Sequence, residues 1–222
     1  MLRSSSIFFA VVLFLASASV LHSQTADDTD NQSWNDLQIS IPVSEKVDLQ
    51  ILATARFGNN ITRFEHGRIG AGVAVDIGKG FSAGANYQYI ESRNAISRFF
   101  TEHRYTIRGG YKFPVKKIGL SHRSTYEYRS RRVGNFWRYR AAVTVEKKLP
   151  ENWIKDSKLF ITEEVFYVSV AGRFSRNRIS AGISRKVNNH LTLDVYYMRQ
   201  NDGTSRPGDL HVLGTTWRIK TK

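Results

Sequence analysis

From Ile118 to Arg131 the chain reads IGLSHRSTYEYRSR, and its side chains sort by parity. Successive side chains of a strand point to opposite faces, so Ile118, Leu120, His122, Ser124, Tyr126 and Tyr128 share one face. Gly119, Ser121, Arg123, Thr125, Glu127, Arg129 and Arg131 share the other. Strands in soluble proteins run to about 5–6 residues. This one is about twice that length, charged throughout on one face, with its aromatics gathered at one end. A strand that crosses a membrane in a barrel has that character: apolar toward lipid, polar toward the lumen, aromatic at the interface.

The same alternation recurs along most of the chain. It predicts strands over 34–41, 46–57, 63–77, 81–91, 98–113, 118–131, 136–149, 158–170, 173–187, 191–200 and 210–219. Following the path up and down, Phe57, Tyr87, Tyr89, Phe99, Tyr126, Tyr128, Trp137, Tyr139 and Tyr197 collect at one end of the outward face. Phe81, Tyr111, Phe113 and Trp217 collect at the other. Two aromatic girdles with aliphatic and small residues between them fit a barrel in lipid and have no reason to arise in a soluble sandwich. The expected fold is therefore all-β, a transmembrane antiparallel up-and-down β-barrel of ten to twelve strands. The segments from Lys46 onward make ten, with both ends on one side. The short segment 34–41 either finds a partner in the leader, giving twelve, or tucks into the barrel. One ambiguity lies in the strand over 158–170. Glu163 and Glu164 are adjacent and must face opposite ways, so one would meet lipid unless a β-bulge or an aqueous contact intervenes.

Composition bounds where such a chain lives. Mean hydropathy is negative, which excludes a bundle of membrane helices, and the one long apolar run is Ile7 to Ala18. It follows Arg3 and ends in Ala16-Ser17-Ala18, the form of a cleaved signal peptide. Residues 1–23 are expected to be removed after Ala18 or Ser23, with a polar leader over 24–33 and the barrel over 34–222. The expected location is the bacterial outer membrane. The 222 residues include no cysteine, so an exported protein of this kind must take its stability from elsewhere. A closed barrel supplies it by pairing every backbone group. The net charge of +14 would ordinarily point to nucleic acid. Export, and arginines spread along strands rather than clustered, exclude that partner. They favour outer-membrane lipid, including lipopolysaccharide phosphates, or a small anionic solute.

The inward faces hold Arg56, Arg68, Glu102, Arg104, Arg108, Arg123, Glu127, Arg129, Arg138, Arg140, Glu146, Arg176 and Arg178. Pairing Phe113 with Ile118 would set Arg104 opposite Glu127 and Glu102 opposite Arg129. A four-residue loop over 132–135 would then set Arg140 opposite Glu127 and Arg138 opposite Arg129. In that register Glu127 is bracketed by two arginines and is the most consequential carboxylate, ahead of Glu102. Arg108 beside Arg123 leaves surplus positive charge. Such interdigitation favours a filled, narrow lumen over a wide pore.

Arg123-Ser124-Thr125-Tyr126-Glu127-Tyr128-Arg129, Glu164-Val165-Phe166-Tyr167 and His211-Val212-Leu213-Gly214 resemble the domain-of-unknown-function 2490 family of bacterial outer-membrane proteins over roughly Trp34 to Ile219. The resemblance implies an outer-membrane barrel and brings no catalytic residues with it. One departure is that such barrels commonly end on an aromatic, whereas Trp217 is followed by Arg-Ile-Lys-Thr-Lys.

Other chemistry is thin. His122 and Ser124 share a face, and a His-x-Ser pair on the outside of a strand resembles the arrangement of outer-membrane phospholipases and lipid A deacylases. A histidine base needs its serine within hydrogen-bond reach and a third group to orient it, and no Asn-Gly follows to supply one. His66, His103, His190 and His211 lack ligand spacing, and Gly78-Lys79-Gly80 reads as a tight hairpin turn. No metal site and no cofactor is expected. The chain reads as a monomeric barrel with a narrow arginine-rich lumen, structural or passing small anions. A lipid hydrolase using His122 and Ser124, or a soluble periplasmic lipocalin-like binder, are the alternatives.

Overall fold

A computed structural model describes residues 29–94 and 97–221. The expected signal peptide and the leader as far as residue 28 lie outside the described residues.

Eleven strands follow in chain order: β1 (Thr29–Pro42), β2 (Val47–Gly58), β3 (Arg63–Gly78), β4 (Phe81–Arg93), β5 (Phe99–Phe113), β6 (Gly119–Arg131), β7 (Gly134–Lys148), β8 (Ser157–Val168), β9 (Arg173–Lys186), β10 (Leu191–Asp202) and β11 (Asp209–Lys220). Each pairs antiparallel with the next, and β1 pairs with β11 to close the barrel. The closing pair is parallel, with Asn35 opposite Thr215 and Leu37 opposite Trp217. An odd number of alternating strands sends the first and last in the same direction, so a parallel seam is how such a meander closes.

Two expectations change as a result. The sheet is mixed at its seam rather than antiparallel throughout. The segment around Trp34 neither acquires a twelfth strand among the described residues nor tucks inside; it is wall. Thr29–Ser33, expected as leader, belong to β1. Thr29 and Lys220 therefore lie at opposite ends of the barrel. The N-terminal mouth carries Thr29 and the turns after β2, β4, β6, β8 and β10, and the C-terminal mouth carries the rest.

The inward glycines mark close approaches between neighbouring strands. A Cβ at Gly72 would lie 2.3 Å from the Ala85 carbonyl oxygen, and one at Gly182 would lie 2.4 Å from that of Val195. Only glycine lets neighbouring backbones approach so closely. At the Gly78-Lys79-Gly80 turn all three residues have positive φ, which two glycines make inexpensive.

The outside is apolar. Ile107 and Leu213 expose 67% and 62% of their surface, and Ile51, Ile69, Ile161, Ile179 and Val195 are exposed beside them. A contiguous belt of this kind has no place in water and is the lipid face of a membrane-crossing barrel. Inside, a core of the usual sort lies along the seam. Trp34, Met198, Leu210 and Val212 are buried there against Tyr196, whose ring occupies the space left by the missing side chain of Gly214.

Candidate functional site

The barrel encloses a cavity of about 1090 Å³ that touches all eleven strands and reaches residues at both mouths, Gly134 and Asn135 at one and Glu146 and Arg218 at the other. Twelve arginines and five carboxylates line it. Glu102 and Asp202 are buried just behind arginine side chains. Counting them, arginine still exceeds carboxylate by five.

Strand parity places the expected residues inward, but their register differs from the sequence reading. Phe113 pairs with Leu120, not Ile118, so Arg104 lies opposite Arg129 and Glu102 opposite Arg131. The β6–β7 turn is tight, with Arg131 opposite Gly134, so Glu127 faces Arg138 and Arg140 faces Thr125. Arg108 likewise faces Thr125 rather than Arg123. Placing Glu127 directly between Arg104 and Arg140 is therefore wrong by two residues. Long side chains still reach diagonally. Arg138 and Arg140 contact Glu127 at 2.6 and 2.8 Å, and Arg104 lies at 4.0 Å.

Three acidic nodes organise the wall. Glu102, 1% exposed, accepts from Arg104 at 2.6 Å, Arg129 at 2.7 Å and Arg131 at 2.5 Å. Glu127, 2% exposed, holds the arginines of β7. Glu164 accepts from Arg140 at 2.6 Å and Arg123 at 3.1 Å, with Arg178 at 3.8 Å. Charge-assisted contacts of this kind fix guanidinium groups in place, so the arginines form an ordered lining.

Aromatic faces hold others. Phe166 lies under Arg138, Arg140, Arg176 and Arg178 at 4.7–5.5 Å. Trp34 is covered by Arg56 at 3.6 Å and Arg178 at 4.8 Å. A cation over an aromatic ring is attracted by the ring quadrupole. Glu146 lies near the C-terminal mouth, paired with Lys158 at 2.7 Å, and Arg68 bonds Asp36 at 2.9 Å. Glu164, Asp36, Phe166 and Trp34 were missing from the sequence reading of the lumen. Parity along β1 and β8 could have found them, since they alternate with outward Leu37, Ile161 and Val165.

Two cavity arginines, Arg56 and Arg108, have no carboxylate within 4.0 Å among the described residues. Arg56 lies over Trp34 with its Nε unpartnered. Arg108, like the paired but exposed Arg123, lies toward the C-terminal mouth. Arg108 donates to the Gln50 amide oxygen at 3.1 Å and lies over Gly84. Arg123 exposes 45% of its side chain and shares Glu164 with two other arginines.

On the outer face, Glu163 and Glu164 separate without a bulge between them. The register shift falls at Phe166/Tyr167. Glu163 points outward with Val143 and Ile179 beside it in register, yet is only 3% exposed and is hydrogen-bonded by the Asn177 side chain. His122 Nε2 lies 2.9 Å from Ser124 Oγ, which is itself 2.8 Å from the Tyr139 hydroxyl. The aromatics fall at two levels. Phe57, Tyr87, Tyr89, Phe99, Tyr126, Tyr128, Trp137, Tyr139 and Tyr197 lie toward the N-terminal mouth, while Phe81, Tyr111, Phe113 and Trp217 lie toward the C-terminal one. Phe57, Tyr111 and Tyr139 are half-buried and the rest are exposed. Among the described residues no group of three or more acidic, histidine or cysteine side chains could hold a metal ion.

No curated protein matches the chain. Solved structures it is similar to include the NanC porin, at 9% identity and a TM-score of 0.49 over 82% of this chain and 93% of that one. Another is an anion-selective porin from Comamonas acidovorans, at 12% identity and a TM-score of 0.40 over 79% of this chain and 54% of that one. The model of the protein family of unknown function DUF2490 matches residues 31–210. The chain belongs to that family.

Proposed function

We propose that this protein is an outer-membrane barrel whose narrow, arginine-lined lumen passes small anions. The carrying observation is the excess of arginine over carboxylate around a cavity that reaches both mouths. Like charge lining a low-dielectric wall focuses the field and concentrates counter-ions. The acidic nodes Glu102, Glu127 and Glu164 hold the guanidinium groups apart from one another, and the surplus at Arg108 and Arg123 remains for a solute. Width limits what passes. Spread along a barrel on the order of 30 Å tall, the cavity volume leaves room for a file of waters or one small solute. A soluble lipocalin-like binder would need a polar outside and an apolar inside, the reverse of this distribution.

Chloride entry into proteoliposomes loaded with a chloride-quenched dye tests the proposal. Entry should be fast relative to empty vesicles and slowed in the Arg108→Gln/Arg123→Gln double variant. Entry no faster than in empty vesicles would leave the barrel a structural element only.

A further inference from the structure

Among the described residues lysine is confined to one end of this barrel, whereas arginine occurs in the lumen and at both mouths, Arg185 included. All eleven lysines among the described residues lie at the C-terminal mouth, in its turns or in the end residues of the strands that meet it. Each of the five turns there carries or adjoins a lysine, and Lys220 closes the circle beside the seam. The turns of the N-terminal mouth contain none; their cations are arginines such as Arg98, Arg132 and Arg206. Ten of the eleven lysines are exposed. Among the described residues only Lys158 and Lys220 have a carboxylate within 4.0 Å, Glu146 and Asp48 respectively.

We infer that this rim is a collar for anionic glycerophospholipid headgroups, which fixes the C-terminal mouth in a leaflet rich in them. Three features point to a lipid surface. The charge runs around the whole circumference, whereas a protein partner would need it on one side. It lies just beyond the girdle of Phe81, Tyr111, Phe113 and Trp217, at the level where phosphates follow the interfacial aromatics. It is made of lysine, a flexible, strongly hydrated point charge that follows exchanging headgroups. Arginine's rigid fork suits fixed bidentate partners, and in this chain arginines make the ion pairs of the lumen. The same argument selects mobile phosphodiesters over the paired phosphates of lipid A.

The inference does not depend on whether the lumen conducts, and intrinsic fluorescence can test it. Trp153 and Trp217 lie at the lysine rim, Trp137 at the opposite girdle and Trp34 in the lumen wall. In vesicles of phosphatidylcholine and phosphatidylglycerol, a Trp137→Phe background leaves Trp153 and Trp217 at the rim as the quenchable reporters, the buried Trp34 adding a constant emission. Brominated phosphatidylglycerol should quench it at mole fractions about fivefold lower than brominated phosphatidylcholine, as one to two lysines per headgroup site imply. The preference should vanish when Lys79, Lys116, Lys117, Lys147, Lys148 and Lys186 are replaced by Gln, with heat-modifiable gel mobility showing that the variant still folds. A Trp153→Phe/Trp217→Phe background, reporting Trp137, should show no preference. Coincident quenching curves in the parent background would overturn the collar, as would a preference that survives the lysine replacements or appears equally at Trp137. Displacement of the brominated phosphatidylglycerol by an equal mole fraction of lipid A would overturn its assignment to glycerophospholipid.

Discussion

Glu102 and Glu127 each sit among three arginines, and neither can be removed without leaving those cations facing one another. Breaking a buried charge network costs about 3–5 kcal/mol. Water in the cavity screens part of this, so Glu102→Gln and Glu127→Gln should each lose about 3 kcal/mol in urea unfolding from micelles. Glu146→Gln, which frees only the half-exposed Lys158, should lose less than about 1 kcal/mol. Equal stability of all three variants would mean the wall is not an ion-pair lattice. The sequence reading ranked Glu127 above Glu102 because its register was two residues off; the contacts make the two equivalent. Glu163 is the opposite case, a carboxyl on the lipid face with aliphatic neighbours in register. Glu163→Gln keeps the amide contact to Asn177 without an ionisable group, and should raise stability by about 1 kcal/mol in the same assay. Ser124 has the His122 contact a nucleophile needs. Its Oγ is also engaged by Tyr139, and the ladder amides around it are paired to β5 and β7, so they are not available as oxyanion donors. Purified protein should therefore not hydrolyse phospholipid or deacylate lipopolysaccharide; turnover abolished by Ser124→Ala would contradict this.

At the scale of strands, alternation was enough to locate all eleven, because a face that meets lipid and a face that meets water leave period-two traces in sequence. Turn closure leaves a weaker trace. The β5–β6 turn joins Phe113 to Leu120 across residues 114–119, and the β6–β7 turn is two residues rather than four. Each difference shifts every cross-strand partner. The start of β1 was invisible for another reason. Thr29–Ser33 is wholly polar, since at the mouth neither face of the strand needs an apolar side chain. The inward Trp34 and Phe166 were overlooked because a polar lumen was expected to hold polar residues, whereas here aromatic faces serve as seats for arginine. The seam makes its own prediction. Asn35 and Thr215 are opposite each other and hydrogen-bonded at 2.9 Å, and the chain is free of cysteine. An Asn35→Cys/Thr215→Cys variant should cross-link on oxidation or with a short bifunctional thiol reagent, and Asn35→Cys/Ile219→Cys should not. The converse pattern would place β1 in another register.

The whole molecule divides its chemistry by place: aliphatics on the outer belt, aromatics at two levels, an arginine-rich lumen, and lysine confined to one rim among the described residues. Strand parity predicts the outer belt, the two aromatic levels and the inward arginines, but neither the lysine rim nor how the lumen charges balance, because balance depends on register. Anion passage depends on that balance, an excess of fixed positive charge facing a narrow cavity that reaches both mouths. The most direct measurement is the zero-current potential of the protein in a planar bilayer separating two concentrations of potassium chloride. A lumen governed by Arg108, Arg123 and their neighbours should give the sign of chloride selectivity, and Arg108→Glu/Arg123→Glu should reduce or invert it. Potassium selectivity in the parent, or a potential indifferent to those two replacements, would contradict the account.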